Sequence, residues 1–232
     1  MYLYETHLHT SPVSKCAHCS VMENLEFYKQ LGYAGVFITN HFIDGNMAPA
    51  PGKSYEERIN FFCSDYSEGV KIGKEIGLDI FLGAEMTYGG TDFLVYGLDQ
   101  EWYLSHPEIQ NMKKSELLPF LMKQGALVIH AHPFREAYYI DHIRLYPRCV
   151  HGVEVYNACR KDFENALAEQ YAQNYKLIPF AGSDNHLGKS NPMLGGMKFE
   201  TPLKNEADFV ERIKNKSGTL FHMPNPLSEQ NS

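Results

Sequence analysis

The chain has 232 residues, 44% of them hydrophobic and 21% charged, a balance that suits one large α/β domain. A formal net charge of −7 weighs against nonspecific nucleic-acid binding and against an anionic membrane surface, because both need a cationic face. No stretch is long and apolar enough to span a bilayer, and the first residues show no secretion signal. Five dispersed cysteines (Cys16, Cys19, Cys63, Cys149 and Cys159) argue against a disulfide framework and fit a reducing cytoplasm.

Apolar, β-branched runs alternate with segments of helical period, the mark of βα units around a parallel sheet. Residues 2–5 read as the first strand. Residues 22–31 follow as a helix, with Ser20 as N-cap, Gly32 as its stop, and Met22, Leu25, Tyr28 and Leu31 at helical spacing. Residues 35–39 form the second strand. A long helix is expected over 54–76, with Ser54 capping and Glu57 three residues on. Strands three and four fall at 78–84 and 93–98. A helix at 115–124 precedes the fifth strand at 126–129. The sixth strand is 152–156, a helix covers 162–174, and the seventh strand is 177–181. Short strands at 197–200 and 219–221 flank a helix near 207–214, and the polar tail 224–232 is expected to be loose or to lie on the surface. About seven βα units in a chain of this length predict a single α/β domain over 1–232, a distorted TIM-like barrel rather than a doubly wound sheet.

Ligand-type residues follow nearly every strand, which favours the barrel, where strand ends converge on one face. His7 and His9 are two apart, so both imidazoles share one face of an extended segment. His41 ends the run Ile38-Thr39-Asn40. Glu85 follows Leu82-Gly83-Ala84, where a carboxylate is costly unless it is paired or metal-bound. His130, His132, Asp184 and His186 follow two further runs. His130 is expected to point the same way as His132. The duller readings are a solvated histidine pair, an ordinary salt bridge for Glu85 and an N-cap role for Asp184. Recurrence at successive strand ends favours a multinuclear metal site, since imidazoles and carboxylates hold divalent cations.

In order, His7-x-His9, Ile38-Thr39-Asn40-His41, Gly83-x-Glu85, Ala131-His132-Pro133 and Ser183-Asp184-x-His186 resemble the motifs of the PHP (polymerase and histidinol phosphatase) superfamily across residues 1–190. The resemblance implies a distorted (β/α)7 barrel with two or three divalent ions, manganese, zinc or iron, at the strand C-terminal ends. It implies His7, His9, His41, Glu85, His132, Asp184 and His186 as ligands, with phosphoester hydrolysis as the activity. Asn40 stands where members often carry Asp. Many members carry an Asp or His ligand in the loop after the first pair; here either Cys16 or His18 supplies it, or it is absent. His106, the one histidine between Glu85 and His130, is another candidate. Cys16-x-x-Cys19 has no second cysteine pair to complete a zinc knuckle.

Arg135 lies three residues past His132 and is expected to contact phosphate, with Lys189 and Arg160 as weaker candidates of the same kind. Tyr138 and Tyr139 wall a pocket or simply pack. The loop 44–55 is expected to cover the site. The expected function is hydrolysis of a small phosphate monoester (histidinol phosphate, a nucleotide or a sugar phosphate) by a metal-activated hydroxide. Glu85 and Arg135 would be the catalytic groups. The alternatives are a phosphotyrosine-protein phosphatase, a metal-dependent amidohydrolase and a non-catalytic metal-binding scaffold, because a fold alone does not fix a substrate.

Overall fold

A computed structural model of the chain describes residues 1–48 and 54–228. Its elements run β1 (Tyr2–Leu8), α1 (Val21–Gln30), β2 (Gly35–Ile38), α2 (Tyr55–Phe62), α3 (Ser64–Ile76), β3 (Asp79–Tyr88), β4 (Thr91–Tyr96), α4 (Gln100–Ser105), α5 (Lys114–Lys123), β5 (Leu127–Ala131), β6 (Gly152–Asn157), α6 (Asp162–Tyr175), β7 (Ile178–Gly182), β8 (Met193–Phe199), α7 (Glu206–Lys214) and β9 (Thr219–Pro224). The strands form one sheet in the order β7-β6-β5-β4-β3-β2-β1-β8-β9.

The sheet curls until it nearly closes. The first half of β1 pairs antiparallel with β8 through Tyr2–Phe199, Leu3–Lys198 and Tyr4–Met197. Its far end meets the continuation of β7 instead. Leu8 bridges Asn185, His9 N–H donates to Asn185 O, and Asn185 N–H donates to His7 O. Closure therefore occurs at one mouth, while the β8–β9 hairpin wedges open the other.

Alternation sets the layers. On β2, Val36 and Ile38 pack outward beside α1 and α3, and Phe37 points inward. Leu94 and Tyr96 of β4, Leu127 and Ile129 of β5, and Phe180 of β7 join Phe37 inside. Phe209 of α7 plugs the bottom of the barrel, its ring 4.2 Å from Phe37 and 5.2 Å from Tyr96. Outside, α6 lays Ala168, Tyr171 and Ala172 on Val153 and Val155 of β6.

Three expectations change. The seven-unit parallel count does not hold, because β4 is antiparallel to both β3 and β5. A Gly89-Gly90 turn joins β3 to β4, and both glycines have positive φ (55° and 85°), the conformation a two-residue hairpin demands. The start of β4, rather than its end, thus lies at the closed mouth. The expected long helix breaks at Cys63, where the Ser64 hydroxyl donates back to Phe61 O at 2.7 Å, a local bond that bends helices. The tail expected to be loose from 224 is tethered as far as Ser228: Asn225 is buried and donates to the Lys189 and Asn191 carbonyls at 2.9 and 2.8 Å. Residues 49–53 of the expected covering loop and 229–232 of the tail lie outside the described residues.

Strand β1 carries a bulge. Three steps along it, Glu5 to Leu8, match two on β2, Val36 to Ile38. The extra residue turns two amides the same way, and the buried Glu5 carboxylate takes both: Thr6 N–H and His7 N–H donate to Oε1 at 2.9 Å. Ser183 N–H, past the end of β7, donates to the same oxygen at 3.0 Å, and the Tyr28 hydroxyl donates to Oε2 at 2.8 Å. One side chain thus ties together β1, the β7 extension and α1. Glu5→Ala strands these donors, and each buried orphan costs about 1–3 kcal/mol. The variant is expected to lose on the order of 3 kcal/mol or more of unfolding free energy by urea titration, whereas Glu5→Gln, which keeps an acceptor, loses less.

Candidate metal centre

The closed mouth gathers His7, His9, His41, Glu85, His132, Asp184 and His186, all the primary candidates from the sequence. Their donor atoms form three overlapping groups: His7-Glu85-His132, His7-His9-Asp184 and His9-His41-His186. His7 Nε2 is 3.2 Å from His9 Nε2, 3.3 Å from Glu85 Oε1 and 3.4 Å from Asp184 Oδ1. His9 Nε2 is 3.4 Å from both Glu85 Oε2 and Asp184 Oδ1. His132 Nε2 lies 3.1 Å from Glu85 Oε1. Donors about 2.0–2.2 Å from one tetrahedral cation stand roughly 3.3–3.6 Å apart, so the observed spacings fit a shared ion. Glu85 turns Oε1 to His7 and His132 and Oε2 to His9 and His41, the arrangement of a carboxylate that bridges two positions. His41 Nδ1 and Glu85 Oε2 approach to 2.8 Å, yet neither atom has an aligned hydrogen bond.

Local backbone explains the convergence. Beyond the bulge, His7 and His9 point together into the mouth. Asp184 (φ 53°) and His132 (φ 26°) adopt left-handed conformations, uncommon for residues with a side chain and frequent at functional sites. The turn at His132 also corrects the expectation for His130. His130 keeps strand parity and faces outward, its ring 4.9 Å from Phe93 and its Nε2 2.7 Å from Thr91 Oγ1. His132 leaves that parity and swings inward.

Four supporting side chains were not singled out in the sequence. Glu154, buried on β6, sets Oε1 2.9 Å from His7 Nδ1 and accepts from His132 N–H and Asn157 Nδ2. A carboxylate on the rear nitrogen fixes the ring and leaves Nε2 for a cation. Its signal was a carboxylate alternating with Val153 and Val155. Asn157 Nδ2 also donates to Asp184 Oδ2 at 3.2 Å. Asp92 opens β4 at the mouth, 2.9 Å from Arg135 Nη2 and 3.9 Å from His132 Nε2. Its signal was Gly89-Gly90, since two glycines between two strands mark a hairpin. Asp65, at the start of α3, accepts from Thr10 Oγ1 and Asn40 Nδ2. Asn40 in turn accepts from Thr10 N–H and the Ser14 hydroxyl, bracing the loop after His9.

Other candidates fall elsewhere. His106 stacks on Trp102 at 4.1 Å, with Nδ1 2.7 Å from Trp102 O, outside the cluster. His18 is exposed and reaches the site only through its backbone N–H, which donates to His186 O. Lys189 lines a separate surface pocket with Cys19 and Glu23. Cys16 does reach the site, its Sγ 3.2 Å from His41 Nε2.

The cluster opens into a cavity of about 660 Å³, walled by Asp44, Gly45, Asn46, Thr87, Asp92, Arg135, Tyr139 and Arg160 among others. Tyr139 lies under the Arg135 guanidinium, whereas Tyr138 is fully exposed. Buried negative charge here outweighs the permanent cations, and burial of unpaired charge is costly. Burial opposes an imidazolium at His7, yet Glu154, Asp184 and Glu85 outweigh it and hold its pKa well above the ordinary value. Burial likewise opposes the charge on His41, but Glu85 and Cys16 raise it well above. His9 goes well below, through burial and through its neighbours His186 and His41. Against the effect of burial, His41, His7 and His132 hold Glu85 well below the carboxylate range, and His7 and His186 do the same for Asp184. Burial raises the Cys16 thiol, but His186 and His41 bring it to about 6.

Residues 162–217, from α6 through α7, match the model of the PHP-associated family. No curated protein matches the sequence. Among solved structures, a two-domain Bacteroides vulgatus ATCC 8482 protein described as containing a predicted PHP-like metal-dependent phosphoesterase superposes with a TM-score of 0.71 at 14% identity. The match covers 95% of this chain and 64% of that one, so the chain spans less than two thirds of that protein. PsfC from Pseudomonas syringae PB-5123 gives 0.61 at 16% identity, over 99% of this chain and 95% of that one. A Bifidobacterium adolescentis ATCC 15703 protein designated a metal-dependent phosphoesterase gives 0.55 at 13%, over 80% and 88%. At such identities the likeness is one of fold. The chain thus shares the fold of these structures, a nearly closed α/β barrel, and carries a His/Glu/Asp cluster at its closed mouth. Among the described residues no helix is long and apolar enough to cross a membrane.

Two outcomes are expected. Glu154→Ala frees the His7 ring and lowers affinity for divalent metal by about 10–100-fold in competition titrations. The carboxylates around His7 and His41 favour their protonated forms in the metal-free protein, so a cation taken up by these rings would displace protons. Metal affinity is therefore expected to rise from mildly acidic to mildly alkaline pH. Calorimetry in buffers of different ionisation enthalpy should register net proton release.

Proposed function

We propose that the chain is a metal-dependent phosphoesterase that hydrolyses a small phosphate monoester, with His7, His9, His41, Glu85, His132, Asp184 and His186 as ligands. One observation carries this reading: Glu85 shares its two oxygens among four imidazoles at the floor of an open cavity that also holds Arg135 and Arg160. The donor set, imidazole with carboxylate, suits manganese, zinc or iron. Divalent cations bound there supply Lewis acidity, acidifying a water and drawing charge from phosphoryl oxygens.

The protein's own groups do the rest. Glu154 holds His7 with Nε2 turned to His9, Glu85 and Asp184. Asp92 anchors Arg135 at 2.9 Å and so orients a fork of N–H donors toward the space where phosphoryl oxygens would sit. Arg160 adds a second guanidinium on the same wall. These cations match a transition state whose negative charge spreads over equatorial oxygens. The cavity volume suits a small ester. A location in the cytoplasm agrees with the dispersed free cysteines.

The test is phosphate release by metal-stripped protein, with Mn²⁺, Zn²⁺ or Fe²⁺ restored, across histidinol phosphate, nucleotides, sugar phosphates and a phosphotyrosine peptide. Release is expected only with metal, and it should vanish in His9→Ala. Arg135→Ala should keep its metal and lose about 10²–10³-fold in kcat/KM, as for loss of a charge-stabilising donor. Full metal loading with no release from any ester would sink the phosphoesterase reading in favour of an amidohydrolase or a scaffold.

A further inference from the structure

Strands β5 and β6 are parallel neighbours, yet the connection between them, residues 132–151, holds neither helix nor strand. Parallel strands are ordinarily joined through a helix. An irregular excursion of that length is uncommon in a compact domain unless it serves binding. This one is fixed at three points. Glu136 N–H donates to the buried Glu164 Oε1 at 2.8 Å, which ties it to α6. The Arg144 guanidinium donates to Gly89 O and lies over the Tyr88 ring, 6.0 Å from its centroid, which ties it to the β3–β4 hairpin. Tyr146 meets Phe93 of β4 edge-on at 5.3 Å. Between these anchors, Tyr138 and Ile143 face water.

The excursion forms a second space beside the metal centre. It is an open groove of about 660 Å³, lined by Arg135, Tyr138, Ile140, Asp141, His142 and Ile143 among others. Arg135 and Ala137 line both this groove and the metal cavity, so the two are continuous. The tyrosine pair divides between them. Tyr139 belongs to the metal cavity and Tyr138 to the groove, and their rings meet at 5.3 Å and 89°.

The lining says what the groove can hold. It is a poor seat for phosphate, since Glu136 and Asp141 set two carboxylates on it. Its apolar members, Tyr138, Ile140 and Ile143, instead suit a flat ring. The candidate metal ligands line the metal cavity and not the groove. A ring bonded directly to the phosphate oxygen would therefore stay in the metal cavity. A ring that reaches the groove past Arg135 needs a spacer of a few atoms.

We propose that the 132–151 connection recognises the leaving group of the ester, with Tyr138 and Ile143 as specificity-determining contacts, and that the group they take is an uncharged, flat ring joined to the phosphate through a short spacer. The inference rests on the phosphoesterase reading and adds to it the class of alcohol released.

Steady-state kinetics of the metal-restored full chain test it with 2-phenylethyl phosphate, phenyl phosphate and glycerol 1-phosphate. KM is the telling constant, because phenol is the better leaving group and would raise kcat by itself. The KM for 2-phenylethyl phosphate is expected to lie about tenfold below the other two, as for a few ring carbons gained in an apolar pocket. Tyr138→Ala and Ile143→Ser should each remove most of that preference through KM, and Tyr138→Phe should keep it. Tyr138 is fully exposed, so its replacement leaves the core intact. Tyr175→Ala, which removes an exposed tyrosine of α6, should not change the preference. Equal KM values for the three esters, or a preference untouched by Tyr138→Ala, would overturn the recognition site and leave the phosphoesterase standing. No release from any ester by metal-loaded protein would overturn both.

Discussion

Five carboxylates are buried together at one mouth of this barrel: Glu5, Glu85, Asp92, Glu154 and Asp184, none more than 3% exposed. Like charges out of water repel strongly and hold their places only where something compensates each. The chain answers them in different currencies. Backbone amides and a tyrosine hydroxyl satisfy Glu5, an asparagine, a backbone amide and the back of an imidazole satisfy Glu154, and a guanidinium faces Asp92. Glu85 and Asp184 have chiefly imidazole ring nitrogens for company. The architecture of the mouth follows from which acids are already neutralised and which are left facing donors that a cation could share.

Distortion of the fold serves that arrangement. A regular β1 would not set its histidines where they are; the bulge does, and Glu5 holds the bulge. A regular end to β5 would send His132 outward with His130; the left-handed turn reverses it. Gly182 shows how tight the fit is. A Cβ there would lie 2.5 Å from the His7 Cβ and 2.7 Å from Glu154 Oε1, so only glycine lets β7 approach the histidine strand. The reversal of β4 brings Asp92, and through it Arg135, to the same mouth.

Much was legible in the order of residues. Alternation of Val36, Phe37 and Ile38, and of Phe93 through Tyr96, was enough to place strands and their faces. Polar residues at the ends of those runs marked the cluster at the mouth, because an imidazole or carboxylate beside an apolar strand needs a partner. Each such residue is visible locally. Glu154 had the same kind of signal, a carboxylate inside an apolar run, but its meaning depends on His7, which is 147 positions away. His106 carried a ligand's identity without a ligand's place, since its ring is taken by Trp102.

The sequence by itself determined the α/β alternation, the barrel-like closure and the seven side chains that meet at the mouth, since period and residue chemistry are local properties that burial acts on directly. Only the tertiary structure decided the bulge in β1, the inward turn of His132 and the supporting roles of Glu5 and Glu154. Register and the compensation of buried charge arise between segments distant in the chain, so no local pattern fixes them.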